Sequence, residues 1–170
     1  MAAPRPQRLH VDVLLAERTT NSPNGTVNLL GAGWSTIQRS GPLVGPMSVV
    51  AFLKVPYELC NRDVRVELSL VDEDGYVVVA GEQELRITQV SRFSPPPGAP
   101  NGTGATGSVS IELSPGIPLT DGRGYQWRVA VNSQHEPEWQ AAFWVAAAPQ
   151  PPQLGSGPTA LPQLPFGPNA

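Results

Sequence analysis

The stretch VRVELSL at residues 64–70, followed by DEDG at residues 72–75, decides the fold class of this chain. Apolar and polar side chains alternate strictly along residues 64–70, and a period of two puts them on opposite faces of a β-strand. The acidic turn that ends in glycine is typical of a hairpin connection. The stretch therefore predicts a half-buried strand, paired through the turn with a second strand at residues 76–79.

The same alternation recurs along most of the chain, in segments separated by turns rich in Gly, Pro and Asn. The apolar positions of these segments are Leu9, Val11, Val13 and Leu15; Met47, Val49, Ala51, Leu53 and Val55; Leu85 and Ile87; Val109, Ile111 and Leu113; Tyr125, Trp127, Val129 and Val131; Trp139, Ala141, Phe143 and Val145. Turn signals every 8–12 residues favour a sandwich. We predict an all-β antiparallel β-sandwich, Ig-like or jelly-roll-like, of about eight or nine strands over residues 8–147.

Length and charge limit the classes of function. A chain of 170 residues has room for one domain, and 15% charged residues with a net charge of −3 leave no basic surface for nucleic acid. Because no apolar run approaches the ~20 residues of a spanning helix, we expect no membrane segment. The N-terminus also lacks the pattern of a signal peptide, so we expect no secretion by that route.

The chain has few residues suited to catalysis. It contains two histidines and one cysteine, and no GxSxG motif precedes a helix pattern. We interpret His10 as a strand-surface residue, Cys60 as a semi-buried residue at a strand end, and His135 as a hairpin-loop residue. The sequence predicts a protein that is not an enzyme and needs no cofactor.

Three carboxylates are weak candidates for a metal site. Asp72 and Asp74 belong to the acidic turn, and Asp121 precedes a glycine in a later turn. Calcium needs six to eight oxygen ligands, and the ligand order of an EF-hand is absent. We therefore favour a plain hairpin turn and predict no metal. The alternative is a small-ligand or calcium site formed by this turn and the loop at residues 92–107.

The ends of the chain differ from its middle. Residues 1–7 form a predicted N-terminal arm, and residues 148–170 a predicted Pro-rich extended tail, called here the C-terminal arm. From Pro149 onward it has seven prolines in 22 residues and no charged side chain. Two interpretations stay open: a solvated terminus, or an arm that docks on a neighbouring subunit or on a groove for polyproline helix. In the second, the anchors are Leu154, Leu161, Leu164 and Phe166.

Three segments carry a resemblance to a known family. VNLLGAGWSTIQ (27–38), CNRDVRVELSLVDEDGYVV (60–78) and GRGYQWRVAVNSQ (122–134) resemble a family of short proteins of unknown function from actinobacteria, their phages and other bacteria. The shared features are Gly31 to Trp34, the Asn61-Arg62 pair and the turn from Asp72 to Gly75. The resemblance covers residues 9–146 and implies no activity, cofactor or catalytic residue. Trp34 and Asn61 are its recurring positions, and we expect them to serve in packing and turn capping.

These observations favour a non-enzymatic structural or interaction module. Most concretely, we expect an accessory protein of a phage virion, either a capsid decoration or a minor structural protein, found in the virion or the cytoplasm. Its partners would be proteins, namely neighbouring subunits or a capsid or tail protein, and it could form a homo-oligomer. The alternative is a cytoplasmic bacterial binding domain for a small molecule or calcium.

Overall fold

The computed structural model describes residues 8–22, 26–39 and 41–147. Both predicted arms, residues 1–7 and 148–170, lie outside the described residues. The strands are β1 (His10–Ala16), β2 (Arg18–Asn21), β3 (Val27–Leu30), β4 (Thr36–Gln38), β5 (Met47–Val55), β6 (Asp63–Asp72), β7 (Val79–Ala80), β8 (Gln83–Glu84), β9 (Arg86–Arg92), β10 (Ala105–Leu113), β11 (Arg123–Val131) and β12 (Gln140–Ala146). A 3-10 turn, Tyr57–Leu59, follows β5. In the part of the chain that is described, no helix has the length and apolar character to span a membrane.

Two sheets form the sandwich. The smaller has the strand order β1-β5-β10, and the larger has the order β4-β12-β11-β6-β9. All pairs are antiparallel except β12 with β4, which is parallel. The predicted all-β sandwich is confirmed, with this one parallel pair added. The described residues form twelve strands, more than predicted, because short pieces such as β4, β7 and β8 are too brief to show a period in sequence.

Alternation determines which side chains enter the core. On β6 the apolar positions of the opening stretch are all buried, and Tyr125, Trp127, Val129 and Val131 of β11 are buried opposite them. Trp127 has no accessible surface. Burial of apolar surface stabilises a fold by about 25 cal/mol per Å², so these two central strands supply a large share of the driving force. The predicted core positions of Trp127 and Trp139 are confirmed.

The hairpin predicted through the acidic turn forms, but its second strand is shorter than predicted. β9 borders β6 only from Asp63 to Ser69, and residues 76–78 run beside the rest of that edge. The Asp72 N–H donates to the Tyr76 carbonyl and the Val78 N–H donates to the Leu70 carbonyl, both at 2.9 Å. Val77 makes one isolated bridge to Val71, and the chain then turns through the small β7–β8 hairpin. The Leu85 N–H donates to the Val78 carbonyl at 2.8 Å and closes this excursion before β9 begins.

The β2–β3 hairpin adds a partial third layer. It follows β1 directly, and β2 contacts β5 and β10. Ser48 and Val50 of β5 point away from the sandwich core, yet both are fully buried. The hairpin therefore covers part of the outer face of the small sheet.

The loop between the two sheets is shorter than predicted. It spans residues 93–104, because β9 continues to Arg92 and β10 begins at Ala105. Phe93 is buried at its start, and a Cβ atom added at Gly107 would lie 2.4 Å from the Phe93 ring. Glycine at this position of β10 therefore makes room for the aromatic ring that anchors the crossover.

Candidate functional site

Two of the three candidate metal ligands, Asp72 and Asp121, use their carboxylates in other contacts. Asp72 Oδ1 accepts hydrogen bonds from the backbone N–H groups of Asp74 and Tyr76, at 3.0 and 2.9 Å. Asp121 Oδ1 lies 2.9 Å from Arg39 Nε. In residues 8–22, 26–39 and 41–147, no three His, Cys, Asp or Glu side chains are close enough to hold a metal ion. Asp72 therefore organises the acidic turn, and Asp121 forms an ion pair across the molecule.

The long loop and the acidic turn, which the alternative prediction combines in one site, lie apart in the structure. Asp63 pairs with Arg92, so the loop begins beside the first residue of β6. The acidic turn follows Asp72, the last residue of this ten-residue strand. Ten residues of strand extend about 30 Å, so the two segments lie at opposite ends of the sheet.

The histidines and the cysteine each make a local contact. His10 Nε2 lies 3.0 Å from Asp12 Oδ1 on the exposed side of β1. The buried Cys60 thiol lies 3.5 Å from the Pro56 carbonyl. His135 lies in the β11–β12 connection, and its Nδ1 is 2.8 Å from the Val129 carbonyl oxygen. No hydrogen bond joins any two of these three side chains among the described residues.

Trp34 and Asn61, the recurring positions of the family resemblance, make structural contacts. Trp34 packs edge-on against Phe143, with ring centroids 5.7 Å apart. Asn61 has a positive φ of 58°, its N–H donates to the Phe93 carbonyl, and its Oδ1 accepts from Ser94 Oγ at 2.7 Å. Asn tolerates this left-handed conformation and satisfies the backbone of the turn. Both contacts fit packing and turn-capping roles.

One cleft lies between the tip of the β2–β3 hairpin and the small sheet. Its volume is about 390 Å³, and its lining includes Asp12, Val27, Phe52, Lys54 and Ser108. We call it the hairpin cleft. It places one carboxylate, one ammonium group and one aromatic ring around the same space, so it combines both charges with an apolar wall.

A second feature lies on the outer face of the large sheet, around Trp144. Trp144 of β12 is directly opposite Gly124 of β11. A Cβ atom added at Gly124 would lie 3.7 Å from Trp144 Cε3, so the indole lies across the space above the glycine. The backbone N–H of Trp144 donates to the Ser35 carbonyl at 2.9 Å and so ties β12 to the segment before β4. The ring is therefore held on the sheet while 45% of the residue stays exposed.

The surroundings of this ring form a shallow groove of about 390 Å³. We call it the Trp144 groove; its lining includes Ser35, Glu73, Gly124, Gln126, Ala142 and Trp144. Glu73 is its one charged lining residue, and the Arg123 Nε lies 3.6 Å from the Glu73 carboxylate. Small and uncharged groups dominate the rest of the groove, which leaves an apolar ring accessible on a regular sheet.

The far half of the same outer face has the opposite character. Arg86 Nη1 lies 3.3 Å from Glu67 Oε1, Arg65 Nη2 lies 3.7 Å from Glu67 Oε2, and Arg92 Nη2 lies 2.6 Å from Asp63 Oδ1. These pairs follow β6 and β9. Charged side chains of both signs keep this half hydrated, so the Trp144 groove is the half suited to an apolar partner.

The outward direction of Trp144 could have been predicted from the alternation of its strand. Phe143 belongs to the buried series of β12, so its neighbour had to face outward. Comparison with the models of known protein families gave no match, and comparison with curated protein sequences gave none either. The family resemblance therefore stays a prediction from the three segments that carry it.

Proposed function

We propose that this protein is a non-enzymatic interaction module that docks a protein segment in the Trp144 groove. The observation that supports the proposal is the half-exposed indole, seated over Gly124 on a regular sheet. Tryptophan is enriched at the energetic centres of interfaces, because it brings a large apolar area with little loss of conformational entropy. A ring that is already held in place loses even less conformational entropy on binding.

The chemistry of the groove favours a proline-rich, uncharged segment. Proline-rich segments bind aromatic-lined grooves in an extended conformation that costs little entropy. The C-terminal arm has that composition, with seven prolines in 22 residues and no charge. Its apolar anchors are Leu154, Leu161, Leu164 and Phe166. We therefore propose that the arm of one copy occupies the Trp144 groove of a neighbouring copy.

The position of the arm along the chain supports this exchange. β12 ends at Ala146, two residues after Trp144. An extended arm covers about 3.1 Å per residue, so some twenty residues reach about 60–70 Å. That length exceeds the width of a small domain, so the arm can extend past its own groove to the next copy.

A finer proposal places this module on a phage particle, as a capsid decoration or minor structural protein. Its supports are the sequence resemblance to a family that includes phage proteins and the low charge of the chain, 15% of residues. Low charge suits lasting contact with neighbouring subunits, because few ions lose their water on packing. Co-sedimentation of the purified chain with candidate phage particles would support this assignment. Failure to sediment with any particle would contradict it and leave the docking proposal intact.

The docking proposal is tested on the full chain by sedimentation velocity over a range of concentrations. We expect association that weakens at least tenfold in Trp144→Ala, because the central aromatic anchor is lost. Tyr57→Ala is the matched control, since Tyr57 is 49% exposed but lies in the 3-10 turn after β5. It should associate as the unchanged chain does. Equal association of Trp144→Ala and the unchanged chain would refute docking at the groove.

The arm itself is tested by a second variant of the full chain. Serine in place of Leu161, Leu164 and Phe166 should weaken association as much as Trp144→Ala does. Combining both changes should weaken it no further, because each removes one side of the same contact. Additive losses would show that the arm and the groove act separately, and would refute the proposed occupant.

The hairpin cleft supports a second candidate, a binding domain for a small molecule with both charges. Asp12 and Lys54 line the same cleft beside Phe52. A ligand that stabilises the unchanged chain in a thermal screen should lose this effect in Asp12→Asn and in Lys54→Gln. Calcium-dependent stabilisation that disappears in Asp72→Ala would instead favour the calcium alternative predicted from sequence.

A further inference from the structure

β10 is an edge strand without the usual protection. It spans nine residues, and in the described part of the chain β5 is the one strand that pairs with it by hydrogen bonds. Glu112 is its single charged residue, and it contains no proline. Exposed strand edges normally carry charges, prolines or bulges that prevent pairing with another chain. The free edge of β10 therefore offers backbone hydrogen-bonding groups to an added strand.

The other edges of the two sheets are shorter, charged or bonded. β4 has three residues. β9 carries Arg86 and Arg92, both in ion pairs. β1 carries the His10 and Asp12 pair, and its Leu15 carbonyl accepts a hydrogen bond from the Gly33 N–H at 2.9 Å. The contrast leaves β10 as the edge best suited to strand addition.

We infer that β10 pairs with β10 of a second copy, in antiparallel orientation about a two-fold axis at Val109. Pairing about Val109 uses all nine residues. Each residue then lies opposite one that is an even number of positions away, so core-facing side chains stay on the core side of the joined sheet. It is also self-complementary, as a two-fold interface must be. The result is a continuous six-stranded sheet across the two copies.

The side chains fit this register in size. Core-facing Ile111 would lie opposite Gly107 of the second copy, and Leu113 opposite Ala105, so large residues meet small ones. Ile111 and Leu113 pack against the core but keep partly accessible surface. Pairing would cover that surface, and Ile111 would reach the buried Phe93 ring that lies on Gly107.

The charges fit the same register. On the outer face, Glu112 of one copy would lie opposite Thr106 of the second copy. Within each copy, Thr106 of β10 lies directly opposite Lys54 of β5. Glu112 and Lys54 would then share one row, two strand spacings or about 10 Å apart, at both ends of the interface. Long side chains of opposite sign in one row attract, and the pairing brings no two like charges face to face.

The inference is tested on the full chain by sedimentation velocity, with exposed positions only. Thr106→Glu would face Glu112 at both ends of the interface and should raise the dimer dissociation constant about tenfold. Thr106→Lys should lower it severalfold. Thr106→Glu combined with Glu112→Lys should restore the original value, because the opposed charges again differ in sign.

The same Thr106 and Glu112 variants, made in a chain that also carries Trp144→Ala, separate pairing through β10 from docking of the arm. Association that remains in Trp144→Ala and responds to the Thr106 variants supports pairing through β10. Slower hydrogen exchange of β10 amides at higher protein concentration would support it further. A Trp144→Ala chain that is monomeric at every concentration, or a dimer indifferent to Thr106→Glu, would overturn the inference without touching the docking proposal.

Discussion

Two tryptophans on neighbouring strands show how differently the two faces of one sheet are covered. Trp127 of β11 faces the core and is fully buried, whereas Trp144 of β12 faces outward and is 45% exposed. Each lies opposite a small residue, Ala141 and Gly124 respectively. The same residue type therefore meets similar steric conditions on both faces, and only the covering sheet differs. The comparison shows that the presence of a covering sheet decides whether an aromatic ring is buried or stays exposed.

The largest expected effect is on the core side of this comparison. Trp127→Ala should reduce the free energy of unfolding by about 3–5 kcal/mol, because it leaves a cavity between the sheets. In a domain of this size, we expect the melting temperature to fall by on the order of 10 °C. Chemical denaturation of the variant and the unchanged chain measures the difference. A loss below about 1 kcal/mol would show that Trp127 is not the packed centre of the core.

A second test compares the glycines that lie against aromatic rings. Gly107→Ala should cost about 1–3 kcal/mol, since the new methyl group would overlap the buried Phe93 ring. Gly124→Ala is the matched control, because its methyl group would meet the Trp144 ring at an ordinary distance of 3.7 Å. Denaturation curves should show a clear loss for the first variant and little change for the second. Equal losses would mean that neither ring is placed as described.

The outer side of the comparison should show little effect on stability. Trp144→Ala should change the free energy of unfolding by less than about 1 kcal/mol, as is usual for exposed positions outside the core. Its main effect should be on association, as proposed above. Thermal melting beside sedimentation velocity checks both expectations in one sample. A loss of stability as large as that of Trp127→Ala would make Trp144 a structural residue.

The smallest expected effect lies in the charged half of the outer face. Glu67→Gln should cost roughly 0.5 kcal/mol or less, because the ion pairs of Glu67 with Arg65 and Arg86 are partly exposed and screened by solvent. Its association should equal that of the unchanged chain. Added salt should reduce the difference in stability between the two proteins, which distinguishes ion pairing from packing.

Much of the sandwich could be predicted from alternation alone. The buried faces of β6 and β11 follow directly from residues such as Leu68 and Trp127, because strand geometry fixes side-chain direction locally. The early end of the hairpin after Val78 could not be predicted, since Val77, Val78 and Val79 have the same strand character, and β9 occupies this edge of β6 up to Ser69. β4 was missed for a related reason: three residues show no period, and its parallel pairing with β12 joins segments about a hundred positions apart in the chain.

The candidate sites depended still more on long-range contacts. Asp72, Asp74 and Asp121 were plausible ligands by residue type, but Asp121 pairs with Arg39, a residue distant in sequence. The Trp144 groove requires Gly124 from another strand, and the unprotected state of β10 follows from its position at the end of a sheet.

By itself, the sequence determined the kind of secondary structure and the two faces of each long strand, because side-chain direction alternates with the backbone and needs no distant partner. The tertiary structure alone decided which strands are neighbours, which edge stays open and whether an outward-facing tryptophan is covered. Those features arise from pairing and packing between remote segments, where the whole set of contacts selects among arrangements that are locally equivalent.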